Sequence, residues 1–196
     1  MSLEVFGFHM HDDYASSTYE VAPSVRVRPT TALTLRTGLR WSHNLDDAQW
    51  IENLSLDDGD RYVFGRLDQR TAALTFRVEY TLRATLSLQV YAEPFVSTGH
   101  YTGFKELVDG RAPDYADRYA PFAYGANPDF RYASFRTTNV LRWEYRPGSA
   151  LFVVWQQGRE EVDEEGTFDF NRDFGRALRA PAHNTLLVKL SYWLSR

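Results

Sequence analysis

Hydrophobic and polar residues alternate with a period of two along most of this chain, which is typical of β-strands with one apolar and one polar face. The clearest example is the segment 135–157, where large apolar side chains share one parity on both sides of a short break: Leu141, Trp143, Tyr145, Leu151, Val153 and Trp155. At the break, Pro147 presets φ for the second position of a turn and Gly148 accepts a positive φ at the third. The segment therefore predicts a tight antiparallel hairpin.

The same alternation predicts six further strands, at 3–10, 19–28, 31–43, 61–79, 86–101 and 184–194. Long polar connections are expected at 11–17, 44–60, 102–130 and 160–183, with a short helix near 104–108, and short turns at 29–31, 80–85 and 146–149. Because Pro94 lacks an amide donor, we expect a bulge or a barrel rim there. Eight strands with alternating short and long connections predict an up-and-down antiparallel meander.

The two parities of these strands differ strongly in chemistry. The apolar parity holds Leu33, Leu35, Leu39, Trp41, Leu74, Phe76, Val78, Tyr80, Leu86, Leu88, Val90, Leu186, Val188, Leu190 and Tyr192, together with the six hairpin residues above. The polar parity holds Arg26, Arg28, Arg36, Arg40, Arg77, Glu79, Glu93, Arg136, Arg142, Glu144 and Lys189. Alternation alone does not say which face is enclosed, because turning a barrel inside out leaves the pattern unchanged.

The size of the apolar residues favours lipid as their environment. The interior of an eight-stranded barrel is just filled by side chains, and residues such as Trp41, Phe76 and Trp143 would overfill it. The aromatic residues also lie near the ends of the apolar stretches, as they do in interfacial girdles. We therefore expect an all-β fold, an antiparallel up-and-down transmembrane β-barrel of about eight strands. A soluble, lipocalin-like ligand binder with the apolar face inside is the alternative.

Composition narrows the class of protein further. The 196 residues contain no linker-like segment, so we expect a single domain over 1–196. The mean hydropathy of −0.46 and the lack of an apolar run near the ~18 residues of a spanning helix exclude a helical membrane protein. The absence of cysteine excludes disulfides and thiolate metal sites. The first residues do not form a secretory signal, so we expect a mature segment, and the C-terminal part of a larger barrel protein is one interpretation.

Charge separates the two ends of the predicted barrel. The four long connections hold 20 of the 26 acidic residues, which leaves the strands with an excess of basic residues. We therefore expect a bacterial outer-membrane location, with acidic loops outside and short turns and both termini periplasmic. The expected partners are outer-membrane lipid, lipopolysaccharide bridged by divalent cations to the acidic block 160–165, and other envelope proteins. Nucleic acid is not expected, because the net charge is −4 and the basic residues form no single exposed patch.

Three stretches carry a family resemblance. They are 62–101, with LDQR and LSLQVYAEPFVSTGHY; 141–157, read LRWEYRPGSALFVVWQQ; and 186–194, read LLVKLSYWL. They resemble the C-terminal barrel of bacterial envelope proteins that pair a family-9-type carbohydrate-binding domain with a following domain of unknown function. The resemblance implies an outer-membrane barrel region with no settled activity. Sugar binding is not implied, since nothing in the chain resembles the carbohydrate-binding domain.

Candidate chemistry outside the strands is weak. His9 and His11 alternate on one strand, as metal ligands can, and Asp57, Asp58 and Asp60 surround a turn glycine, but neither spacing matches a known site, so no metal and no cofactor is expected. His43, His100 and His183 lie near the long-loop end among Ser and Asp residues. A rim hydrolase built on them is conceivable, yet no motif links a nucleophile to a base, and we do not expect an enzyme.

The expected role is structural, anchoring or interaction, and the barrel end of a larger envelope or transport protein is one form that this role can take. The charged parity leaves two interpretations open. In a closed eight-stranded barrel it forms a plug of paired charges, and in a larger barrel it lines a lumen that favours anions. The second interpretation predicts a pore for small solutes.

Overall fold

The computed structural model describes residues 1–57 and 59–194, which form one antiparallel sheet with an α-helix packed on it. The strands are β1 (Ser2–His11), β2 (Ser17–Val27), β3 (Leu33–Leu56), β4 (Gly59–Arg83), β5 (Leu86–Leu107), β6 (Tyr119–Pro121), β7 (Phe130–Arg146), β8 (Ser149–Asp163) and β9 (Ala182–Ser191). Helix α1 (Phe170–Arg179) lies between β8 and β9 in the chain, and a 3₁₀ turn covers Tyr115–Arg118. The all-β prediction is confirmed.

The strands are ordered β1-β2-β3-β4-β5-β7-β8-β9, with the short β6 added to β5. Every pairing is antiparallel, so the predicted meander of eight long strands is confirmed. Over the residues described, however, no pairing joins β1 to β9. The expectation that these eight strands close into a barrel is therefore wrong for this chain, because closure requires its two edges to meet and they remain separate.

The short turns follow the chemistry of their residues. Gly148 has φ of 76°, as the third position of the predicted turn requires, and Arg146 pairs with Ser149 across it. The bulge expected at Pro94 is wrong. The register is the same on both sides of it, and the β4–β5 ladder is instead interrupted where the proline has no amide to donate.

One of the expected loops is largely strand, and the first part of another, 102–107, continues β5. Most of 44–60 continues β3 and β4, with register shifts between Asp46 and Gln49 and between Trp50 and Glu52. These irregularities shift the parity of the sequence, so alternation cannot reveal the strand. The helix expected near 104–108 is also wrong, since β5 runs to Leu107. Asp58 lies outside the described residues.

Helix α1 covers part of the sheet and forms the largest buried apolar cluster described. Phe174 and Ala177 pack on three small residues of adjacent strands, Ala72, Val96 and Ala133. Trp41, Leu74, Phe135 and Phe168 pack around this cluster. The helix begins where the Asp169 side chain accepts the Arg172 amide at 2.8 Å, and it ends before Pro181, which favours an extended Ala180.

Candidate functional site

The strand registers place residues of the apolar parity beside one another on one face of the sheet and residues of the polar parity on the other. One row of cross-strand neighbours on the apolar face runs through Leu35, Val78, Val90, Asn139, Trp155 and Leu186. The other predicted apolar residues share this face: Leu33, Leu39, Trp41, Leu74, Phe76, Tyr80, Leu86, Leu88, Leu141, Trp143, Tyr145, Leu151, Val153, Val188 and Leu190. Tyr192 directly follows β9. We call these apolar residues the apolar band.

The apolar band is open to its surroundings over most of the sheet. Leu186, Val188 and Leu190 on β9 are 66%, 64% and 67% exposed. Phe76 and Trp143 are exposed even though their strands are flanked on both sides. Scattered apolar residues are ordinary on protein surfaces, but a contiguous band of this extent marks contact with a protein or a membrane.

The apolar band is inclined to the rows of paired residues. On β3 it is centred on Thr37, and the pairings through β4, β5 and β7 connect Thr37 with Gln157 on β8. The centre of the band on β8 is instead Val153, four residues from Gln157. The centre of the band therefore shifts by one residue at each of the four strand pairings. A residue rises about 3.3 Å along its strand, and neighbouring strands are about 4.8 Å apart, so the band is inclined by about 35° to the rows of paired residues. Strands of membrane barrels are tilted by roughly this amount.

The polar face places three arginines side by side. Arg26 pairs in register with Arg36, and Arg36 pairs with Arg77. The Arg77 guanidinium lies 5.4 Å from the centre of the Tyr91 ring, and no carboxylate forms an ion pair with any of the three within 1–57 and 59–194. Like charges directly opposite on neighbouring strands repel each other. This arginine row therefore favours water or an anion on the polar face.

The remaining charged residues of the polar face are partly paired. Arg142 forms an ion pair with Glu144 at 2.9 Å, and Arg40 forms one with Glu20 at 3.4 Å. Arg136 lies opposite Glu93, Glu79 lies opposite Gln89, Lys189 lies opposite Phe152, and Arg28 donates to the carbonyl of Thr31. As far as the structure describes the chain, the complete plug of paired charges is not formed.

Sequence reasoning missed a charged cluster beneath α1. Arg131 on β7 is 1% exposed and lies 2.7 Å from Glu165 and 3.2 Å from Asp173, which is itself 0% exposed. Arg131 also pairs with Asp163 on β8. Arg172 pairs with Asp173 at 2.8 Å and with Glu165. These contacts fix α1 and the segment before it to β7 and β8.

A local signal for α1 was present in the sequence. Asp169 is a favoured N-cap residue, and the apolar residues Phe170, Phe174 and Ala177 follow at helical spacing. The acidic block 160–165 just before this helix favours a loop instead, because such blocks are typical of solvated loops. In the structure Asp163 and Glu165 from this block are partners of arginines instead. The hydrogen bond from Thr167 and the nearby arginine charges lower the pKa of Glu165.

Polar contacts hold the long connections together at one end of the sheet. Lys105 lies 2.6 Å from an Asp47 oxygen, to which the Tyr115 hydroxyl also donates at 2.8 Å. Burial raises the pKa of Asp47, but these hydrogen bonds outweigh it and the net shift is downward. Burial and the hydrogen bond to Asp47 raise the pKa of Tyr115, and the hydrogen bond to Glu52 raises the pKa of Tyr124 to about 12. Both tyrosines therefore remain hydrogen-bond donors at neutral pH.

Two of the three histidines near this end have carboxylate partners. His43 lies 2.9 Å from Asp68, and His100 lies 2.6 Å from Asp129. His183 pairs in register with Gly158. No serine or threonine hydroxyl bonds to these histidines in the part of the chain that the structure describes, so the hydrolase hypothesis gains no nucleophile.

The weak metal candidates do not assemble into a site. His9 and His11 stack with ring centroids 5.8 Å apart on the exposed strand β1. Asp57 and Asp60 lie at the turn between β3 and β4. Among residues 1–57 and 59–194, no group of three or more His, Asp or Glu side chains is arranged to hold a metal ion.

The two edges of the sheet are long and apolar. Strand β1 has ten residues, all exposed, including Leu3, Val5 and Phe6. Strand β9 also has ten residues, and nine of them are exposed. An edge strand leaves backbone donors and acceptors free for pairing, and natural proteins normally protect such edges. Both edges are therefore surfaces suited to the addition of further strands.

No helix in the described ranges is long and apolar enough to cross a bilayer. Comparison with known families gives one match, over residues 1–195, to a family described as a domain of unknown function (DUF5916). No curated protein and no solved structure matches the chain. The family match agrees with the resemblance to a domain of unknown function, and it carries no information on carbohydrate binding or on a membrane barrel.

Proposed function

The chain belongs to the DUF5916 family of domains of unknown function, and we propose that it forms part of the wall of a bacterial outer-membrane β-barrel, with a structural or anchoring role. The exposed apolar band carries this proposal. From Leu33 to Trp41 the band covers about 26 Å of strand, or about 22 Å along the membrane normal at a tilt of about 35°. The apolar belt of outer-membrane barrels is about 25 Å tall. The long connections face outward toward lipopolysaccharide, and the short turns face the periplasm.

The open edges indicate a barrel with more than these eight long strands. In hydrocarbon every backbone amide and carbonyl needs a partner, and an open sheet edge is not tolerated there. Within the described ranges, β1 and β9 each have ten residues without a neighbouring strand on one side. We therefore propose that further strands pair with both edges to complete the barrel.

Two exposed tryptophans test the membrane proposal. Trp143 lies in the apolar band, whereas Trp50 lies on the extension of β3 at the long-connection end, and the two are 48% and 52% exposed. After folding into phosphatidylcholine vesicles, brominated acyl chains are expected to quench the emission of Trp143 and to leave that of Trp50 unaffected. Trp143→Phe should then remove a larger share of the quenchable emission than Trp50→Phe. Equal effects of the two substitutions would contradict the proposal.

A second candidate function is a lumen that favours anions. The arginine row Arg26, Arg36 and Arg77 supports it, together with a cleft of about 350 Å³ on the polar face that Arg36, Arg40 and Glu93 help to line. Rings of arginine or lysine select anions in pores. In a barrel wider than eight strands this face borders water.

Substitution in the arginine row tests the lumen. In planar bilayers under a KCl gradient, the complete barrel that includes this chain and the further strands is expected to conduct with a preference for chloride. Arg36→Gln should reduce this preference, because it removes the central charge of the row. Arg111→Gln, an exposed change in a long connection, serves as the control and should leave the reversal potential unchanged. Absence of conductance, or equal reversal potentials for both variants, would rule out the lumen and leave the structural role.

A further inference from the structure

Helix α1 lies beside the apolar band, on the same face of the sheet. Its buried residues cover the row formed by Ala72, Val96 and Ala133. The next row toward the short turns contains Leu74 and Phe135, which pack against this cluster. The helix therefore occupies the boundary between the apolar band and the long-connection end.

The two flanks of α1 have different chemistry. Phe170, Phe174 and Leu178 are spaced four residues apart and form one apolar ridge, in which the first two rings lie 4.6 Å apart. The opposite flank carries Arg172 and Arg176, which pair with acidic residues of the preceding segment. Phe174 is buried against the sheet, whereas Phe170 and Leu178 are 45% and 51% exposed, so the two ends of the ridge are not covered by the sheet.

The charged flank points to the long connections and the apolar ridge points to the band. Arg131, the partner of Asp173, lies two residues from Ala133 toward the long-connection end of β7. On the other side of Ala133, Phe135 pairs with Arg159, whose guanidinium donates to the carbonyl of Leu178 at 2.8 Å. The C-terminal end of the ridge is therefore on the side of the apolar band.

We infer that α1 is an interfacial membrane helix, which lies in the headgroup region of the bilayer with its apolar ridge against the acyl chains. This inference rests on the proposed function, because it takes the apolar band to be embedded in lipid. Helices of this kind place Phe and Leu about 5–10 Å into the boundary between headgroups and acyl chains, with arginines on the other side. The phospholipid bilayer is the partner, and α1 extends the lipid contact of the barrel wall.

Single cysteines provide the test, because the chain has none of its own. Leu178→Cys, Val188→Cys and Val162→Cys each place an environment-sensitive fluorophore at an exposed position, with Val188 in the apolar band and Val162 on β8 at the long-connection end. The labelled chains are folded, as part of the complete barrel, into phosphatidylcholine vesicles with nitroxide lipids, spin-labelled either near the headgroup or deep in the acyl chain. We expect loss of emission at Leu178 with the shallow quencher, loss at Val188 with the deep quencher, and no loss at Val162.

The possible outcomes distinguish the interfacial helix from the membrane proposal on which it rests. If Val188 is quenched while Leu178 behaves like Val162, the membrane proposal holds and the interfacial helix is wrong. If Val188 is not quenched by either lipid, the membrane proposal fails and the interfacial helix fails with it. Quenching at Leu178 by the deep lipid to the same degree as at Val188 also overturns the inference, since α1 would then lie in the hydrocarbon.

Discussion

Val188→Arg is expected to prevent stable folding into a bilayer, whereas Leu187→Arg on the same strand leaves folding intact. The two residues are adjacent on β9 and are similarly exposed, at 64% and 55%, but they lie on opposite faces. Val188 pairs with Val153 at the centre of the apolar band. An arginine near the bilayer midplane of a barrel costs about 2–4 kcal/mol, whereas on the lumen side it remains in water.

This pair distinguishes lipid from water as the environment of the apolar band. Urea titrations of both variants in phosphatidylcholine vesicles, followed by heat-modifiable migration on gels, measure the fraction folded. In a soluble protein both positions would be exposed surface, and neither arginine would change stability by more than about 0.5 kcal/mol. Equal folding of the two variants would therefore overturn the membrane proposal, and loss of folding for Leu187→Arg alone would place lipid on the opposite face.

Sequence alternation was most informative where the sheet is regular. The pairing of β7 with β8 keeps one register from Arg131–Asp163 to Glu144–Ala150, and Pro147-Gly148 sets the turn, so that hairpin is predictable from its residues. The parity of a residue in the sequence also indicates which face of the sheet its side chain lies on. Antiparallel pairing keeps residues of one parity on one face as long as the register is unbroken. The charged set and the apolar set therefore lie on opposite faces of the sheet.

Alternation failed where the backbone is irregular or where tertiary contacts decide the structure. The bulges near Asp46 and Trp50 change the parity within β3, and so a strand of 24 residues was interpreted as a short strand and a loop. An acidic block such as 160–165 is typical of a solvated loop, but Glu165 pairs with Arg131, which is distant in the sequence, and with Arg172 of α1. Long-range pairs of this kind have no local signal.

Barrel closure also cannot be predicted from the local alternation of hydrophobic and polar residues. Whether β1 and β9 meet depends on the number of strands and on the stagger between them, which are properties of the whole sheet. The inclination of about 35° emerges only after the registers from β3 to β8 are known. A strand pattern thus predicts the faces of each strand and does not predict whether the sheet closes.

The buried charge of Arg131 makes the second strong prediction. Arg131→Ala is expected to destabilise the protein by about 3 kcal/mol, toward the low end for breaking a buried ion pair. Asp173, which is 0% exposed, loses one cationic partner but keeps Arg172 at 2.8 Å, which limits the loss. Arg40→Ala is the control. The Arg40 side chain is 65% exposed and pairs with Glu20 at 3.4 Å, so its removal should cost less than about 1 kcal/mol.

The region that Arg131→Ala destabilises is as informative as the change in the free energy of unfolding. Because Arg131 ties β7 to Asp173 of α1 and to Glu165, its loss should release the helix before the sheet unfolds. Hydrogen exchange should therefore speed up at the amides of 170–179 in Arg131→Ala and remain slow in Arg40→Ala, while chemical unfolding reports the global cost. Replacing Arg131 and Asp173 together by Met and Leu should recover much of the stability, since the cost comes from the charge left without its partner. Equal exchange in Arg131→Ala and Arg40→Ala would show that the buried cluster does not hold the helix in place.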